Sequence, residues 1–189
     1  MLNLVLFGPP GAGKGTQSEK LISHYGLIHI STGDVFRALD PNSDLAKLAK
    51  SYSDKGDLVP DDVTIKILEN EVLKHPNAKG VIYDGFPRTN AQAEALDNFL
   101  QAKGDAISMM IALDVPEDEL KTRLLKRAEV SGRADDANPE IIVNRIANYN
   151  KQTAPVADFY QTQGKLRLVD GIGSIDEIFD RICSAVDKG

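Results

Sequence analysis

Leu4-Val5-Leu6-Phe7-Gly8-Pro9-Pro10-Gly11-Ala12-Gly13-Lys14-Gly15-Thr16 is the stretch on which the reading of this chain turns. An apolar run enters a Gly- and Pro-rich turn, meets a lysine and continues as a helical pattern, the strand, turn and helix order of a phosphate-binding loop. Glycines such as Gly11 and Gly13 let successive backbone N–H groups point inward around a phosphate without Cβ clashes, and the N-terminus of the next helix adds unpaired donors and a positive dipole end. Lys14 can reach the β- and γ-phosphates of a nucleotide and follow the charge as it transfers. The common pattern has Ser or Thr directly after the lysine, where its hydroxyl meets Mg²⁺. Here Gly15 stands there and Thr16 comes next, so Thr16 is a phosphate or metal-shell contact, directly or through water. A Gly turn with no ligand is the competing reading, and the lysine and the strand together argue against it.

Outward from this loop the chain alternates short apolar runs with longer amphipathic stretches, the rhythm of an α/β fold with a mostly parallel sheet. The β-like runs are Asn3 to Phe7, Ile28 to Ile30, Val81 to Tyr83, Ala106 to Leu113 and Lys165 to Val169, five strands in a three-layer sandwich. Thr89 with Gln92 fits a capping box ahead of Ala93, Leu96, Phe99 and Leu100. Asn138, Pro139 and Glu140 read as N-cap, N1 and first-turn acid, and a terminal helix starts near Ser174. Two segments break the rhythm and are expected to be flaps over the core: 31–60, with two short helical patterns, and the polar segment 127–137.

The 189 residues, 42% of them hydrophobic, suit one domain of ordinary size without repeats or long linkers. A net charge of −6 argues against non-specific adhesion to nucleic acid or an anionic membrane. No stretch reaches the ~20 apolar residues of a membrane span, the N-terminal apolar run is too short for a signal peptide, and one cysteine forms no internal disulfide, which together favour the cytoplasm. Cys183 lies among Phe179, Ile182 and Val186 and reads as core. His24, His29 and His75 have no metal-ligand spacing and read as packing or surface hydrogen bonding.

Gly80-Val81-Ile82-Tyr83-Asp84 ends an apolar run in a carboxylate, the Walker B placement. Beside the first strand, Asp84 would face the phosphate loop and hold Mg²⁺ or its waters; a helix or turn cap is the alternative. Asp34, after Ser31-Thr32-Gly33, is balanced between a cap and site duty. Arg37, Arg88, Arg123, Arg127, Arg133 and Arg145 are cations suited to a multiply charged phosphate substrate, because a guanidinium donates in pairs and keeps its charge. Arg123 and Arg127 share a helical face, where pairing with Glu119 or Glu129 is the plainer reading. Arg133 lies in the second flap, where Asp135 or Asp136 could instead hold it in a surface ion pair.

In this order these motifs resemble the adenylate kinase family: Gly8 to Thr16; Ser31-Thr32-Gly33-Asp34 with Arg37; Leu58-Val59-Pro60; Asp84-Gly85-Phe86-Pro87-Arg88-Thr89 with Gln92; and Leu124 to Arg127 through Ser131-Gly132-Arg133. The resemblance spans essentially the whole chain. It implies a P-loop kinase fold with a five-stranded parallel sheet in the order 2-3-1-4-5, and reversible transfer between Mg·ATP and AMP giving two ADP. The core would be 1–30, 61–126 and 138–189, with a nucleoside-monophosphate flap at 31–60 and a short lid at 127–137. It further implies ATP contacts from Gly11, Ala12, Gly13, Lys14, Gly15, Thr16, Arg123 and Arg127, and AMP-side contacts from Thr32, Arg37, Val59, Gly85, Arg88, Gln92, Arg133 and Arg145. Lys14, Arg88, Arg127, Arg133 and Arg145 would be catalytic, with Mg²⁺ near Asp84 and Thr16. Gln92 would read the adenine edge, a role in competition with its capping geometry. The lid lacks the four cysteines of a zinc-bearing form. A monomer is expected, since one chain completes both sites.

UMP/CMP kinase is the nearest alternative; Thr32 and Arg88-Thr89-Asn90-Ala91-Gln92 look more like the AMP form. A GTPase would need a guanine-reading Asn/Thr-Lys-x-Asp stretch, which is absent, and would leave the second arginine-rich site unexplained. Stacking aromatics in a basic segment, as nucleic-acid binding would require, are also absent.

Overall fold

Strand β1 (Leu2–Phe7) is buried along nearly its whole length, which is why its sequence is a continuous apolar run rather than an alternating one. It occupies the middle of a five-stranded sheet, order β2-β3-β1-β4-β5, formed with β2 (Ile28–Ser31), β3 (Gly80–Asp84), β4 (Met109–Asp114) and β5 (Leu166–Asp170). Every pairing is parallel. The computed structural model describes all 189 residues apart from the side chain of Ala134.

Side chains alternate across this sheet and build a core on each face. Val5 and Phe7 join Tyr83, Met110 and Tyr160 on one side, beneath helices α4 (Asp61–Leu73), α5 (Asn90–Gln101) and α9 (Val156–Thr162). Leu4 and Leu6 join Ile82, Ile111, Leu21 and Ile182 on the other, beneath α1 (Lys14–Tyr25) and α10 (Ile175–Asp187). These are the three layers expected of the pattern. α10 opens with the Ser174–Glu177 capping box, and Asn138 caps α8 (Pro139–Asn148), whose first residue is the expected N1 proline.

β4 begins at Met109, later than the apolar run suggests. The Asn3 side chain donates to the Ala106 carbonyl and the Asn3 carbonyl accepts from Ser108, so those residues turn onto the start of β1 before the ladder with β5 opens. The first excursion contains α2 (Thr32–Arg37) and α3 (Asp44–Ser53), capped by Ser31 and Ser43. In the second, α6 (Glu117–Ser131) runs on through Arg127 and stops at left-handed Gly132, followed by the single turn α7 (Ala134–Ala137). A small cluster of Leu124, Ile142 and Ile146 fastens α8 to α6. A π-helical turn, Tyr149–Thr153, continues α8, and neither it nor α9 has a clear signal in the sequence. Among the described residues no helix is long and apolar enough to cross a membrane.

Candidate functional site

Sheet register brings the carboxyl ends of three strands together. Asp84 stands opposite Leu6 on one side and Ser31 on the other, so the loop after β1, the acid ending β3 and the start of α2 share one edge of the sheet. Lys14, first residue of α1, folds back and donates to the carbonyls of Gly8 at 2.9 Å and Pro9 at 3.2 Å. Burial lowers its ammonium to about 8, against the pull of Asp84 and with added repulsion from Arg88, Arg145 and Arg127. Thr16 lies exposed on the first turn of α1.

Burial pushes the Asp84 carboxyl up, but a hydrogen bond from His29 and the charges of Lys14, His29 and Arg88 outweigh it and hold the group below the usual carboxylate range. His29 Nε2 sits 3.4 Å from Asp84 Oδ2, and the Asp84 bond raises the imidazole above its ordinary value. No cluster of three or more His, Cys, Asp and Glu side chains is placed to hold a metal among the described residues. A lone ionised carboxylate at this edge suits a hard cation carried mainly by phosphate oxygens and water, as Mg²⁺ is, rather than one caged by protein.

Gly85 organises the next part of the site. Its carbonyl accepts from Thr32 Oγ1 at 2.9 Å and from Arg88 Nε at 2.8 Å. With φ at +75°, a Cβ here would be strained and would come within 2.9 Å of an Arg88 guanidinium nitrogen and 3.0 Å of Thr32 Oγ1. Glycine is therefore needed for all three to meet. Arg88 is exposed to the cleft, where enclosure by its walls and the charges of Arg145, Arg37 and Arg133 lower its guanidinium while Asp84 opposes them. The cleft is thus short of negative charge around Arg88. Arg37 is paired with Asp34, and Ser31 rather than Asp34 caps α2.

Gln92 is 1% exposed, and only half of the expected box forms, with Thr89 as the N-cap of α5. Thr89 Oγ1 accepts from the Gln92 N–H, whereas Gln92 Oε1 accepts from the Arg88 N–H at 2.7 Å, one residue before the N-cap. Its Nε2 donates to Asp61 Oδ1 at 2.8 Å, which also accepts from Thr89 Oγ1. A primary amide has two donors and two acceptor sites, so one of each remains. The bonds of this side chain to Arg88 and Asp61 leave room for base recognition.

Facing this edge is a wall of arginines gathered on one acid. Asp136, its side chain 0% exposed, accepts from Arg127 at 2.6 and 2.8 Å and from Arg145 at 2.8 Å, with Arg133 at 3.8 Å. Asp135 pairs with Arg145 at 3.0 Å and Arg133 at 3.4 Å. Burial opposes ionisation of Asp136, yet the bonds and charges of Arg127 and Arg145 hold it below its ordinary value. Arg123 stands apart from this wall: it pairs with Glu119 at 2.8 Å and donates to the Gly171 carbonyl at 2.9 Å and, at 3.5 Å, to the Ala12 carbonyl of the phosphate loop. Arg127 meets Asp136 instead of Glu129 because Gly132 turns the chain back across it.

Two adjoining spaces lie along these walls. A cavity of about 80 Å³ is bounded by Gly8, Lys14, Gly85, Arg88 and Arg145, and a cleft of about 680 Å³ by Thr32, Arg37, Val59, Gln92, Arg133 and Arg145 among others. Gly56, Leu58, Gly85, Arg88 and Arg145 border both. Arg123 borders neither.

Sequence reasoning read His29 as packing or surface hydrogen bonding, weighed Asp136 only as a surface partner of Arg133, and passed over Asp61. His29 could have been suspected from the alternation of β2, which puts residue 29 on the opposite face from Ile30. Asp61 acts through Thr89 and Gln92, far along the chain, and no local signal marks it; Asp136 meets Arg127 and Arg145, each nine residues away, only once the chain turns back at Gly132.

Comparison with known proteins gives one consistent finding. A family model described as Adenylate kinase matches residues 6–165. The chain is 52% identical over 189 residues to an adenylate kinase of Phocaeicola vulgatus, covering 100% of both. It is also 52% identical over 189 residues to one of Flavobacterium psychrophilum, again covering 100% of both. With an adenylate kinase of Caulobacter vibrioides it shares 46% over 187 residues, 98% of this chain and 97% of the relative.

Proposed function

The chain belongs to the adenylate kinase family and is an ATP:AMP phosphotransferase, and from that premise we propose that the phosphoryl group passes in line from ATP to AMP, without a covalent intermediate. The observation that carries this reading is the small cavity bounded at once by Lys14, Arg88 and Arg145. It lies between the phosphate loop and the larger cleft, with no group there that needs to act as a nucleophile. A transfer between two bound nucleotides asks only for alignment and for charge to follow the moving phosphoryl group.

In this reading the backbone from Gly11 to Thr16 cradles the ATP phosphates, with Arg123 at the nucleoside end and Lys14 swinging from the Gly8 and Pro9 carbonyls onto the β- and γ-phosphates. Thr32, Arg37, Val59, Gly85, Arg88 and Gln92 hold AMP, the free N–H and lone pair of Gln92 matching the adenine edge. Arg127, Arg133 and Arg145 grip the transferring group. Asp84, through its carboxylate, and Thr16, directly or through water, would hold Mg²⁺, which supplies charge neutralisation between the phosphates when bound. Segment 31–60 serves as the AMP flap and 127–137 as the short lid, closing to exclude water and suppress hydrolysis. All these groups come from one chain, in keeping with a monomer; the enzyme acts in the cytoplasm.

Initial rates from Mg·ATP to AMP, UMP, CMP, GMP and dTMP, with hydrolysis followed in the absence of acceptor, test this directly. AMP should be strongly preferred, with ADP as both products and little hydrolysis. A preference for UMP or CMP would overturn the base-site assignment, and hydrolysis of ATP without acceptor at a comparable rate would overturn the transfer mechanism.

A further inference from the structure

The return loop of the first flap is fastened to the helix that carries Arg145. Two amides of α8, one turn apart, reach the same short stretch: Asn144 Nδ2 donates to the Lys55 carbonyl at 2.5 Å and to Asp57 Oδ1 at 2.9 Å. Asn148 Nδ2 donates to the Gly56 carbonyl at 3.0 Å and to Asp57 Oδ1 at 3.1 Å. One carboxylate oxygen thus accepts from both amides, and each amide also caps a backbone carbonyl. Between them lies Gly56, buried, with φ at +76°. A Cβ there would come within 2.9 Å of Arg145 Cγ and 3.0 Å of the Ile141 carbonyl, so the loop rests directly on the stem of Arg145.

We propose that Asp57 is a positioning residue: through Asn144 and Asn148 it seats the Lys55–Asp57 loop on Arg145 and so makes the AMP flap and the lid respond to one another. This rests on the functional reading above. The loop meets Arg145 directly at Gly56 and is held there by the two amides of α8, and Arg145 borders both the small cavity and the cleft. It also bonds Asp135 and Asp136 of α7, so a shift of the loop reaches the lid acids through one side chain. The sequence spacing is apt for this: Asn144 and Asn148 are four residues apart and share a face of α8 next to Arg145. Binding at one flap then changes affinity at the other, because both bias the placement of a shared element.

The test measures binding of AMP by calorimetry with and without a saturating non-hydrolysable ATP analogue, in the parent, Asp57→Ala, Asn148→Ala and Asp57→Asn. The parent should show AMP affinity enhanced about fivefold or more by the analogue, a usual size for site coupling. Asp57→Ala and Asn148→Ala should bind each nucleotide alone while the enhancement falls to within about twofold of unity. Asp57→Asn keeps an acceptor oxygen for both amides and should restore it. A role confined to stability would lower the Tm of the alanine variants and leave the enhancement intact. That outcome, or a parent with no enhancement, would overturn the proposal. Failure of the parent to bind AMP at all would instead strike the functional reading.

Discussion

On the phosphate-loop side of the cleft, Lys14 and Asp84 are placed by backbone: a Gly-rich turn, the first residue of a helix, and the register of β3 against β1. Across from them Arg127, Arg133 and Arg145 come from three separate segments and are placed by a shared counter-ion, Asp136. The first wall keeps its cation under strain, since burial lowers Lys14 to about 8 and its only bonds are to neutral carbonyls. The second wall sets three guanidiniums against two carboxylates, and each arginine already has Asp135 or Asp136 as a partner. An incoming phosphate improves the situation of Lys14 outright, whereas on the arginine wall it must share or displace an existing partner. Rigid geometry with an unmet charge suits anchoring a phosphate; a network of shared ions drawn from α6, α7 and α8 suits groups that change partners as charge moves.

The sharpest way to break the contrast is to remove one cation from each wall. Lys14→Met should lower kcat by roughly a thousandfold, the upper range for losing one preorganised charge donor. It should also raise the Tm, because it deletes a partly buried ammonium held below its ordinary value. A lower Tm would mean that Lys14 contributes to the fold, against the reading of an unmet charge. Arg145→Ala should cost kcat about a hundredfold, and should lower the Tm as well, since it leaves Asp136 with one firm partner fewer. Thermal melts beside steady-state rates separate the two signatures.

Asp136→Ala tests the second wall alone, with a smaller effect on rate. Without it Arg127, Arg133 and Arg145 repel one another across a few ångströms, and their placement is lost before substrate arrives. A loss of about 2 kcal/mol is expected, as for a buried acid removed from partly exposed partners, with kcat/KM reduced by about tenfold. Bound nucleotide should recover much of the stability, because phosphate replaces the missing anion. A Tm unchanged from the parent would show that Asp136 is not what assembles this wall.

The same contrast explains what was legible in the sequence. The phosphate loop, the acid ending β3, the Asn138 and Ser174 caps and the strand order all rest on signals a few residues long, or on the resemblance they support, and the structure has them in place. The arginines were visible as cations, but not their common partner: Asp136 looked like one of two acids in a polar flap, and only the return of the chain at Gly132 buries it against Arg127. Gln92 shows the limit from another side. Its spacing from Thr89 announced a cap, while its actual acceptor bond to the Arg88 N–H and its link to Asp61, thirty-one residues upstream, depend on how α4 packs beside α5. For His29 the alternation of β2 marks the face but not the partner, since Asp84 lies on the neighbouring strand.

The smallest effect to be sought is in the pH profile of the first wall. In the free enzyme Lys14 titrates near 8, lowered from its ordinary value by burial. The protonated form is the one that can grip phosphate, so kcat/KM for ATP should be level below that point, fall to about half at the pKa, and drop about tenfold per pH unit above it. The arginine wall carries no such limb, because a guanidinium keeps its charge throughout this range. Once ATP is bound its phosphates raise the lysine pKa again, and kcat should stay level to higher pH than kcat/KM does. A kcat/KM for ATP that stays flat to pH 10 would mean that Lys14 is already paired with a negative charge in the free enzyme, and the two walls would then be held in the same way.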